Sequence, residues 1–443
     1  MDSQRAIGYN QNCCMKVFVY TLGCRVNQCE SEAVAKAFSD AGHEVSDSEN
    51  GADLVIVNTC TVTGKAEQKA RRVIRLYSKQ APVLVTGCYA QVSPDQIEML
   101  GDNVRVLPLT RKQELLALPA FFAENPGKSV LETISLFCSR KVSSEGSVFD
   151  YAASNFSYHT RSYLKVQDGC DNSCAFCRVH IARGRSTFLD TATCVQRALE
   201  IEKNGYHEIV LTGVNLTMYD HEGRGLGGLL ETLLTAVGPD MRFRLSSLEP
   251  DHIDDLLLKQ LEDSRMQPYF HIPIQTASEK ILKRINRTYS ASHLDYVVGA
   301  IRQLKNDPFL ACDIITGLPS ETEEDYEITR SFLREKGFAH IHVFPFSPRP
   351  DTPLFKAKDR IPESVRDRRA AELRNLSEKL NAEYLQRQIG RENEVILETR
   401  KQGHWEGLSG NYMRLITDNV PLFAKPGDLV KVRVTATDRA EAL

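Results

Sequence analysis

Short apolar runs alternate with helix-like stretches in the first part of the chain. The runs Lys16–Thr21, Asp53–Asn58 and Pro82–Thr86 are rich in β-branched residues, which suits buried parallel strands. The stretches Glu30–Ala41 and Ala66–Lys79 between them have helical spacing. This alternation predicts an open α/β sheet for a first domain at residues 14–118.

Residues 119–156 are less regular and contain the polar stretches Glu124–Lys128 and Ser143–Ser147. They predict a connector between domains.

The strand–helix alternation then resumes. The predicted strands are Ser162–Gln167, Glu208–Thr212, Arg242–Ser246, Tyr269–Ile272, Ala311–Ile315 and His340–Phe344. The predicted helices are Thr191–Lys203, Gly227–Val237, Ile253–Leu261, His293–Lys305, Glu323–Glu335 and a long charged exit helix, Glu363–Gln388. Six βα units predict a partial (β/α)6 barrel at residues 157–388, with its functional site at the carboxyl ends of the strands.

The pattern changes again in residues 389–443. Short alternating runs predict strands at Glu394–Thr399, Met413–Thr417 and Leu429–Ala436. We expect turns at Gly403, Gly407, Gly410 and Gly427. These features predict a small antiparallel β-barrel of the oligonucleotide-binding type, with a purely structural cap on the larger barrel as the alternative.

Composition places the chain among soluble globular proteins. Its 443 residues are 42% hydrophobic and 26% charged, with a formal net charge of −3. We find no apolar run long enough for a membrane span and no signal-peptide pattern. Twelve cysteines without an export signal indicate a reducing compartment, so we expect a cytoplasmic enzyme whose thiols serve metals or redox chemistry. The net charge exerts no bulk attraction on nucleic acid, so RNA binding would depend on local basic patches.

A CxxxCxxC loop at Cys170, Cys174 and Cys177 carries the clearest chemical signal. Thiolates are soft ligands that suit iron–sulfur clusters, which ordinarily have four of them. Three from one loop leave one iron open for chemistry. The alternative is a structural zinc site completed by His180, although no second cysteine knuckle follows.

A second set of cysteines follows the predicted strands of the first domain. Cys24, Cys60 and Cys88 each come directly after a strand. Because the carboxyl ends of parallel strands gather along one edge, these thiols should converge on a second three-cysteine site. The alternative is three separate buried small residues. We interpret the other cysteines as structural: Cys13, Cys14, Cys29, Cys138, Cys194 and Cys312.

Four motifs together resemble the radical S-adenosylmethionine (SAM) methylthiotransferases. They are TLGCRVNQCES at Thr21–Ser31, NTCTVT at Asn58–Thr63, TGCYAQ at Thr86–Gln91 and DGCDNSCAFC at Asp168–Cys177. The resemblance covers nearly the whole chain and includes the family's C-terminal TRAM domain. Residues after Cys60 and around Cys88 are most similar to the branch that converts N6-threonylcarbamoyladenosine beside the tRNA anticodon to its 2-methylthio form. Other branches act on isopentenyladenosine in tRNA or on a ribosomal-protein aspartate.

The resemblance implies two [4Fe–4S] clusters and SAM as cofactors. Cys170, Cys174 and Cys177 would hold the cluster that cleaves SAM reductively, and Cys24, Cys60 and Cys88 an auxiliary cluster carrying the sulfur to be inserted. A second SAM would methylate that sulfur. The implied partners are a tRNA and an electron donor such as a flavodoxin or ferredoxin. A non-enzymatic RNA-binding protein with structural clusters is a further hypothesis, which predicts no SAM cleavage.

Residues at the strand ends are candidates for binding SAM. The turn after the second barrel strand resembles the family's SAM-binding turn, where close backbone approach needs glycine. The candidates are Thr212, Gly213, Asn215, Ser246, Ser247, Glu249, Gln275 and Gly317. Ordinary turn and cap chemistry is the alternative for each.

Basic residues near the two cysteine sites are candidates for contacting tRNA phosphates. They are Lys69, Arg71 and Arg72 on a predicted helix, Arg183 and Arg185 beyond the CxxxCxxC loop, and Lys283 and Arg284 after the fourth barrel strand. A solvated helix face is the alternative. The chain also departs from the family pattern at His180, at Thr276-Ala277 and at Ser320, where a proline, Ser-Gly and a glycine are usual. At these positions the geometry of the SAM pocket and the substrate preference are expected to differ from those of the resembled family.

Overall fold

The computed structural model describes residues 14–141, 146–151 and 160–443. The predictions for Cys13 and for part of the connector, including most of Ser143–Ser147, lie outside these ranges. The chain forms two compact units. One comprises Met1–Ala153 with Ile181–Gly184, and the other Ser154–His180 with Arg185–Leu443. Within the described ranges, no helix combines the length and apolar character needed to cross a membrane.

The strands are β1 (Lys16–Thr21), β2 (Glu44–Ser46), β3 (Leu54–Thr59), β4 (Val83–Gly87), β5 (Val104–Val106), β6 (Ser162–Lys165), β7 (Gln167–Asp168), β8 (Thr187–Phe188), β9 (Glu208–Thr212), β10 (Arg242–Leu245), β11 (Tyr269–Gln275), β12 (Phe309–Thr316), β13 (His340–Pro345), β14 (Glu392–Lys401), β15 (His404–Ser409), β16 (Arg414–Asp418), β17 (Leu429–Ala436) and β18 (Arg439–Ala442). The α-helices are α1 (Arg25–Asp40), α2 (Gly64–Tyr77), α3 (Cys88–Val92), α4 (Pro94–Glu98), α5 (Leu118–Glu124), α6 (Val130–Ser139), α7 (Val179–Arg183), α8 (Thr191–Lys203), α9 (Gly225–Ala236), α10 (Asp255–Leu261), α11 (Glu279–Arg284), α12 (Ala291–Leu304), α13 (Glu323–Glu335) and α14 (Glu363–Gln388).

The first unit is built on a five-stranded parallel sheet in the order β2-β1-β3-β4-β5. Strands β3 and β4 are buried along their whole length, as their continuous apolar sequences predict. Val55, Val57, Val83 and Val85 pack with α2 in its core. The parallel α/β sheet predicted for this region is confirmed, and its central strands β1, β3 and β4 lie side by side.

The second unit contains a six-stranded parallel barrel segment. Strands β10-β9-β6 form one sheet and β11-β12-β13 another. One bridge joins Phe243 of β10 to Met266, just before β11, and another joins Ser247, just after β10, to His271 of β11. The strand order is therefore β6-β9-β10-β11-β12-β13, which confirms the predicted partial (β/α)6 barrel.

The C-terminal region forms a closed five-stranded barrel in the order β14-β15-β16-β18-β17. Its pairings are antiparallel except that β16 and β18 run parallel. A buried ion pair between Arg244 and Glu208 lies where this barrel meets the larger one, and Arg244 also donates to the carbonyls of Ser409 and Gly410. Tyr269 stacks on Tyr412 with ring centroids 4.2 Å apart at the same junction.

Several sequence-based expectations for individual elements are wrong. Helix α1 begins at Arg25, whereas the sequence predicted a start at Glu30. The first turn was missed because polar residues, Asn27 and Glu30, occupy buried positions where an apolar pattern is expected. Gly407 lies inside β15 rather than in a turn. A Cβ at this position would lie 2.5 Å from the carbonyl oxygen of Ile396 on β14, so the close strand approach requires glycine.

Two helices, α5 and α6, occupy a stretch that the sequence indicated to be irregular. Ser129 and Glu132 form a capping box at the start of α6. The Ser-x-x-Glu spacing is a known helix-start signal, so this helix was detectable from the sequence.

Candidate functional site

Three cysteines of the first unit follow adjacent strands of its sheet. Cys24 caps α1 just after β1, Cys60 follows β3, and Cys88 begins α3 directly after β4. Burial, with smaller contributions from the neighbouring Cys24 and Cys88, raises the pKa of Cys60 to about 12. The paired ends of β1, β3 and β4 therefore place the three cysteines at the same edge of the sheet.

Two glycines make this close grouping possible. Gly87 has φ +96°, and a Cβ there would lie 2.4 Å from the carbonyl oxygen of Thr59. Gly23 has φ +106°, and a Cβ there would lie 2.7 Å from the Cβ of Cys60. A larger residue at either position would displace the chain that carries Cys60.

Buried charges surround Cys88. Lys112 is paired with Glu30 and donates to Asn58 Oδ1 at 2.8 Å. Arg183, in the segment 181–184 that belongs to this unit, donates to Glu30 Oε1 at 3.2 Å and to Cys88 Sγ at 3.3 Å. Burial raises the pKa of Cys88, whereas Arg183 and Lys112 act to lower it.

This donor set fits an iron–sulfur cluster. Ligated cysteines are thiolates, and removing them from water is costly unless cations or hydrogen-bond donors compensate. Arg183 supplies both a cation and a donor to one of the three sulfurs. Sequence reasoning missed Lys112 and Glu30. It placed Arg183 on an RNA surface, but its side chain is only 2% exposed.

The CxxxCxxC loop lies in the second unit between β7 and α7. Each of its sulfurs accepts a hydrogen bond. Arg287 Nη1 lies 3.5 Å from Cys174 Sγ, Asn215 Nδ2 lies 3.8 Å from Cys170 Sγ, and the Val179 amide lies 3.3 Å from Cys177 Sγ. Burial raises the pKa of Cys174 to about 11 and that of Cys177 to about 12. The three donors would favour the thiolate form that a cluster requires, because hydrogen bonds to a charged group stabilise it.

The turn after β9 is fixed by Gln167. Gln167 Oε1 accepts the Asn215 amide at 2.9 Å, and a Cβ on Gly213 would lie 2.7 Å from the same oxygen. The Asn215 side chain also accepts a bond from Thr217 Oγ1 at 2.9 Å while it donates to Cys170. Asn215 therefore joins the predicted SAM-binding turn to the cysteine loop.

Other predicted SAM-binding residues lie at neighbouring strand ends. Thr212 Oγ1 and Ser246 Oγ are buried without a hydrogen-bond partner among the described residues, which suits a pocket whose ligand supplies the partner. Glu249 is partly buried and accepts a hydrogen bond from Arg287 Nη1 at 2.8 Å. Burial raises the pKa of Glu249, whereas Arg287 opposes that shift. Ser247 bonds His271 Nδ1 at 2.8 Å instead.

The remaining candidates occupy left-handed backbone conformations. Gln275 has φ +62°, and Gly317 has φ +72° with its amide bonded to Glu321 Oε2 at 2.8 Å. Ser320, where the resembled family has glycine, also has a positive φ of +67°. Thr276, which also departs from the family pattern, forms a hydrogen bond between its Oγ1 and Thr329 Oγ1 at 3.0 Å.

The basic residues predicted to contact RNA differ in their availability. Lys69 and Arg72 are exposed on α2. Arg71 donates to the Tyr89 hydroxyl at 2.9 Å. Arg185 is 88% exposed and pairs with Asp171. The last two, Lys283 and Arg284, pair with Glu279 and Asp359.

Comparisons with known proteins agree with this architecture. Residues 16–107 match the model of Uncharacterized protein family UPF0004, and residues 164–333 that of the Radical SAM superfamily. A radical S-adenosylmethionine methyltransferase, TsrM from Kitasatospora setae, superposes with a TM-score of 0.54 at 14% identity, covering 77% of each chain. This likeness shows a shared fold. The barrel and its cysteine loop define a radical-SAM enzyme, a class that binds a [4Fe–4S] cluster and SAM.

Curated relatives narrow the class. The chain is 36% identical to threonylcarbamoyladenosine tRNA methylthiotransferase MtaB of Treponema pallidum, over 94% of this chain and 98% of that protein. It is 34% identical to MtaB of Bacillus subtilis, over 94% and 93%. A tRNA-2-methylthio-N(6)-dimethylallyladenosine synthase of Endomicrobium trichonymphae is 31% identical, over 88% and 90%. The chain belongs to the radical-SAM methylthiotransferase family, as its motifs indicated.

Proposed function

We propose that this enzyme is a tRNA methylthiotransferase that converts N6-threonylcarbamoyladenosine, next to the anticodon, to its 2-methylthio derivative. The observation that carries the proposal is that two separate sets of three cysteines occur in a chain that matches MtaB proteins along almost its whole length. Modification of isopentenyladenosine in tRNA is the second candidate, favoured by the 31% identity to a dimethylallyladenosine synthase. Modification of a ribosomal-protein aspartate is the remaining alternative.

Cys170, Cys174 and Cys177 would hold the radical-SAM cluster. When bound, that cluster and SAM supply a one-electron reductive cleavage that yields a radical able to abstract hydrogen from carbon. The protein's part is to hold the loop. Asn215 and Arg287 donate to two of the sulfurs, and Gln167 fixes the adjacent turn.

Cys24, Cys60 and Cys88 would hold an auxiliary cluster that carries the sulfur to be inserted. Three protein thiols leave one iron open, as in the radical-SAM site. The buried cations Lys112 and Arg183 would stabilise the thiolates, and Gly23 and Gly87 permit their close grouping. We propose a flavodoxin or ferredoxin as electron donor and a cytoplasmic location.

The substrate is tested by mass spectrometry of anticodon-loop nucleosides from cells with and without the gene. Loss of the methylthio form, with accumulation of threonylcarbamoyladenosine, is the expected result. An unchanged level of that nucleoside would exclude the proposed substrate. Loss of the methylthio group from isopentenyladenosine or from ribosomal protein would instead support the second candidate.

Single substitutions distinguish the roles of the two cysteine sites. Cys174→Ala should abolish formation of 5′-deoxyadenosine, whereas Cys60→Ala should preserve SAM cleavage and stop thiolation. Cys194→Ala removes a buried cysteine of α8 and should leave both readouts near wild type. A methylthiolated product from the Cys60 variant would exclude the sulfur-carrying role of the first-unit site.

A further inference from the structure

A group of metal-binding side chains lies on the barrel strands, apart from both cysteine sites. The candidate ligand atoms of His271, Asp313 and His342 all lie within 4.8 Å of one another. His271 Nε2 and Asp313 Oδ1 are 3.0 Å apart. The three residues come from β11, β12 and β13, which are adjacent strands.

Strand register places these side chains on one face of the sheet. Asp313 is paired directly with His342, and His271 lies opposite Ala311, two residues before Asp313. The alternate residues of β12, such as Cys312 and Ile314, are at most 1% exposed and belong to the apolar packing of the opposite face. In a βα barrel the helices cover the outer face, so the His–Asp–His face is the inner one.

Ser247 orients one of the ligands. Its Oγ lies 2.8 Å from His271 Nδ1, which leaves Nε2 directed at Asp313. A metal-binding histidine usually has its second ring nitrogen fixed in this way. Two residues beyond Ser247, Glu249 accepts a bond from the Arg287 that contacts Cys174, so one short segment of chain links the group to the radical-SAM loop.

We propose that His271, Asp313 and His342 form a binding site for one divalent transition-metal ion, with Zn²⁺ or Fe²⁺ as the preferred class. Two imidazoles and one carboxylate are a recurring ligand set for these ions, and three protein ligands leave positions open for water or an anionic oxygen. The proposal goes beyond the tRNA modification, and metal binding at this site does not depend on the identity of the substrate.

Zinc content of the cluster-loaded enzyme tests the proposal directly. The enzyme is equilibrated with Zn²⁺ and its zinc and iron are measured by mass spectrometry. Because the clusters contain iron but no zinc, the measurement distinguishes added zinc from cluster metal, and constant iron shows that the clusters remain intact. We expect roughly one equivalent of zinc in the wild type.

Three variants locate the metal. His342→Ala and Asp313→Asn should each lower zinc affinity by more than about 100-fold, and Ser247→Ala by about 10- to 100-fold, the usual effect of losing an orienting partner. His342 is solvent-exposed, so its removal should not impair folding. His207→Ala removes an imidazole of the same unit outside the group and should retain full zinc binding.

Two outcomes would overturn the proposal. One is the absence of zinc from the wild type. The other is equal zinc in the wild type and in both His342→Ala and Asp313→Asn, which would place the metal on other groups such as free thiols. In either case Ser247, His271 and Asp313 would form a metal-free hydrogen-bonded chain.

Discussion

Arg244 should contribute strongly to holding the C-terminal barrel on the larger barrel, because it is paired with Glu208 of the larger barrel and also donates to carbonyls of the C-terminal barrel. The side chains are 2% and 1% exposed, and their two hydrogen bonds measure 2.8 and 3.0 Å. Arg244 also donates to the carbonyls of Gly410 and Ser409 at 3.0 and 3.2 Å. Arg244→Met should therefore remove one partner of the pair and two anchors of the C-terminal barrel together.

Removing one member of a buried pair costs about 3–5 kcal/mol, because the other charge stays buried without compensation. Here Arg161 Nε lies 3.9 Å from Glu208 Oε1 and retains part of the interaction, so we expect a loss near 3 kcal/mol. The double variant Arg244→Met/Glu208→Gln removes both charges and should recover part of that loss.

Trp405 reports specifically on unfolding of the C-terminal barrel. It is the one tryptophan of the sequence and is buried in β15 of the C-terminal barrel. Its fluorescence as a function of urea should show a lower unfolding midpoint for Arg244→Met. Arg433→Met, which breaks an exposed pair with Glu392 in the same barrel, should cost less than about 1 kcal/mol. A loss below about 1 kcal/mol for Arg244→Met, or a double variant as unstable as the single one, would refute the reasoning.

Three further predictions concern the two cysteine sites and the barrel. Gly213→Ala should weaken SAM binding in calorimetry, since its Cβ would lie 2.7 Å from Gln167 Oε1; Gly299→Ala, where a Cβ meets nothing within 4 Å, is the control. Lys112→Met should leave roughly half of the iron bound after reconstitution, because a buried glutamate beside Cys88 loses its lysine. Burial opposes ionisation of Asp325, but a lysine and two hydroxyls hold its pKa below the ordinary value. That stabilisation is complete above about pH 4 and lost as pH falls, so the gap in melting temperature between the wild type and Asp325→Asn should narrow in acid.

Periodicity was sufficient to predict most elements of the two α/β parts. The predicted bounds of β1, β9, α8, α13 and α14 match those in the structure. Local chemistry explains this agreement for two of the helices. Asp190 caps α8, and Thr322 forms a capping box on α13. In both helices the capping residue directly precedes the apolar pattern, so the two signals give the same helix start. Strand β15 was missed because Gly407 interrupts its alternating pattern. The glycine is required by the close approach of Ile396 on β14, which the local sequence does not reveal.

The cysteines of the candidate site could be selected from the sequence, but their charged neighbours could not. Lys112 and Glu30 are 82 positions apart, and both side chains are 2% exposed. A charged residue on a helix is usually solvated, and no local pattern distinguishes it from one that reaches a distant partner. Arg183 was assigned to RNA for this reason, and its burial beside Cys88 corrects that assignment.

The two three-cysteine sites share one electrostatic arrangement that neither motif encodes. In each, an arginine with a buried side chain bonds one cysteine sulfur and one glutamate: Arg183 with Cys88 and Glu30, and Arg287 with Cys174 and Glu249. A guanidinium has several donors in a fixed fork, so it can hold a carboxylate and a sulfur at once, whereas a lysine ammonium acts as a point charge. The glutamate orients the arginine and limits the net positive charge at the site. The arginine then stabilises the thiolate against a burial that otherwise favours the thiol. The pKa of each cysteine still stays above its ordinary value, so the arginine offsets only part of the effect of burial. The same positive charge would stabilise the thiolate if a cluster were bound there.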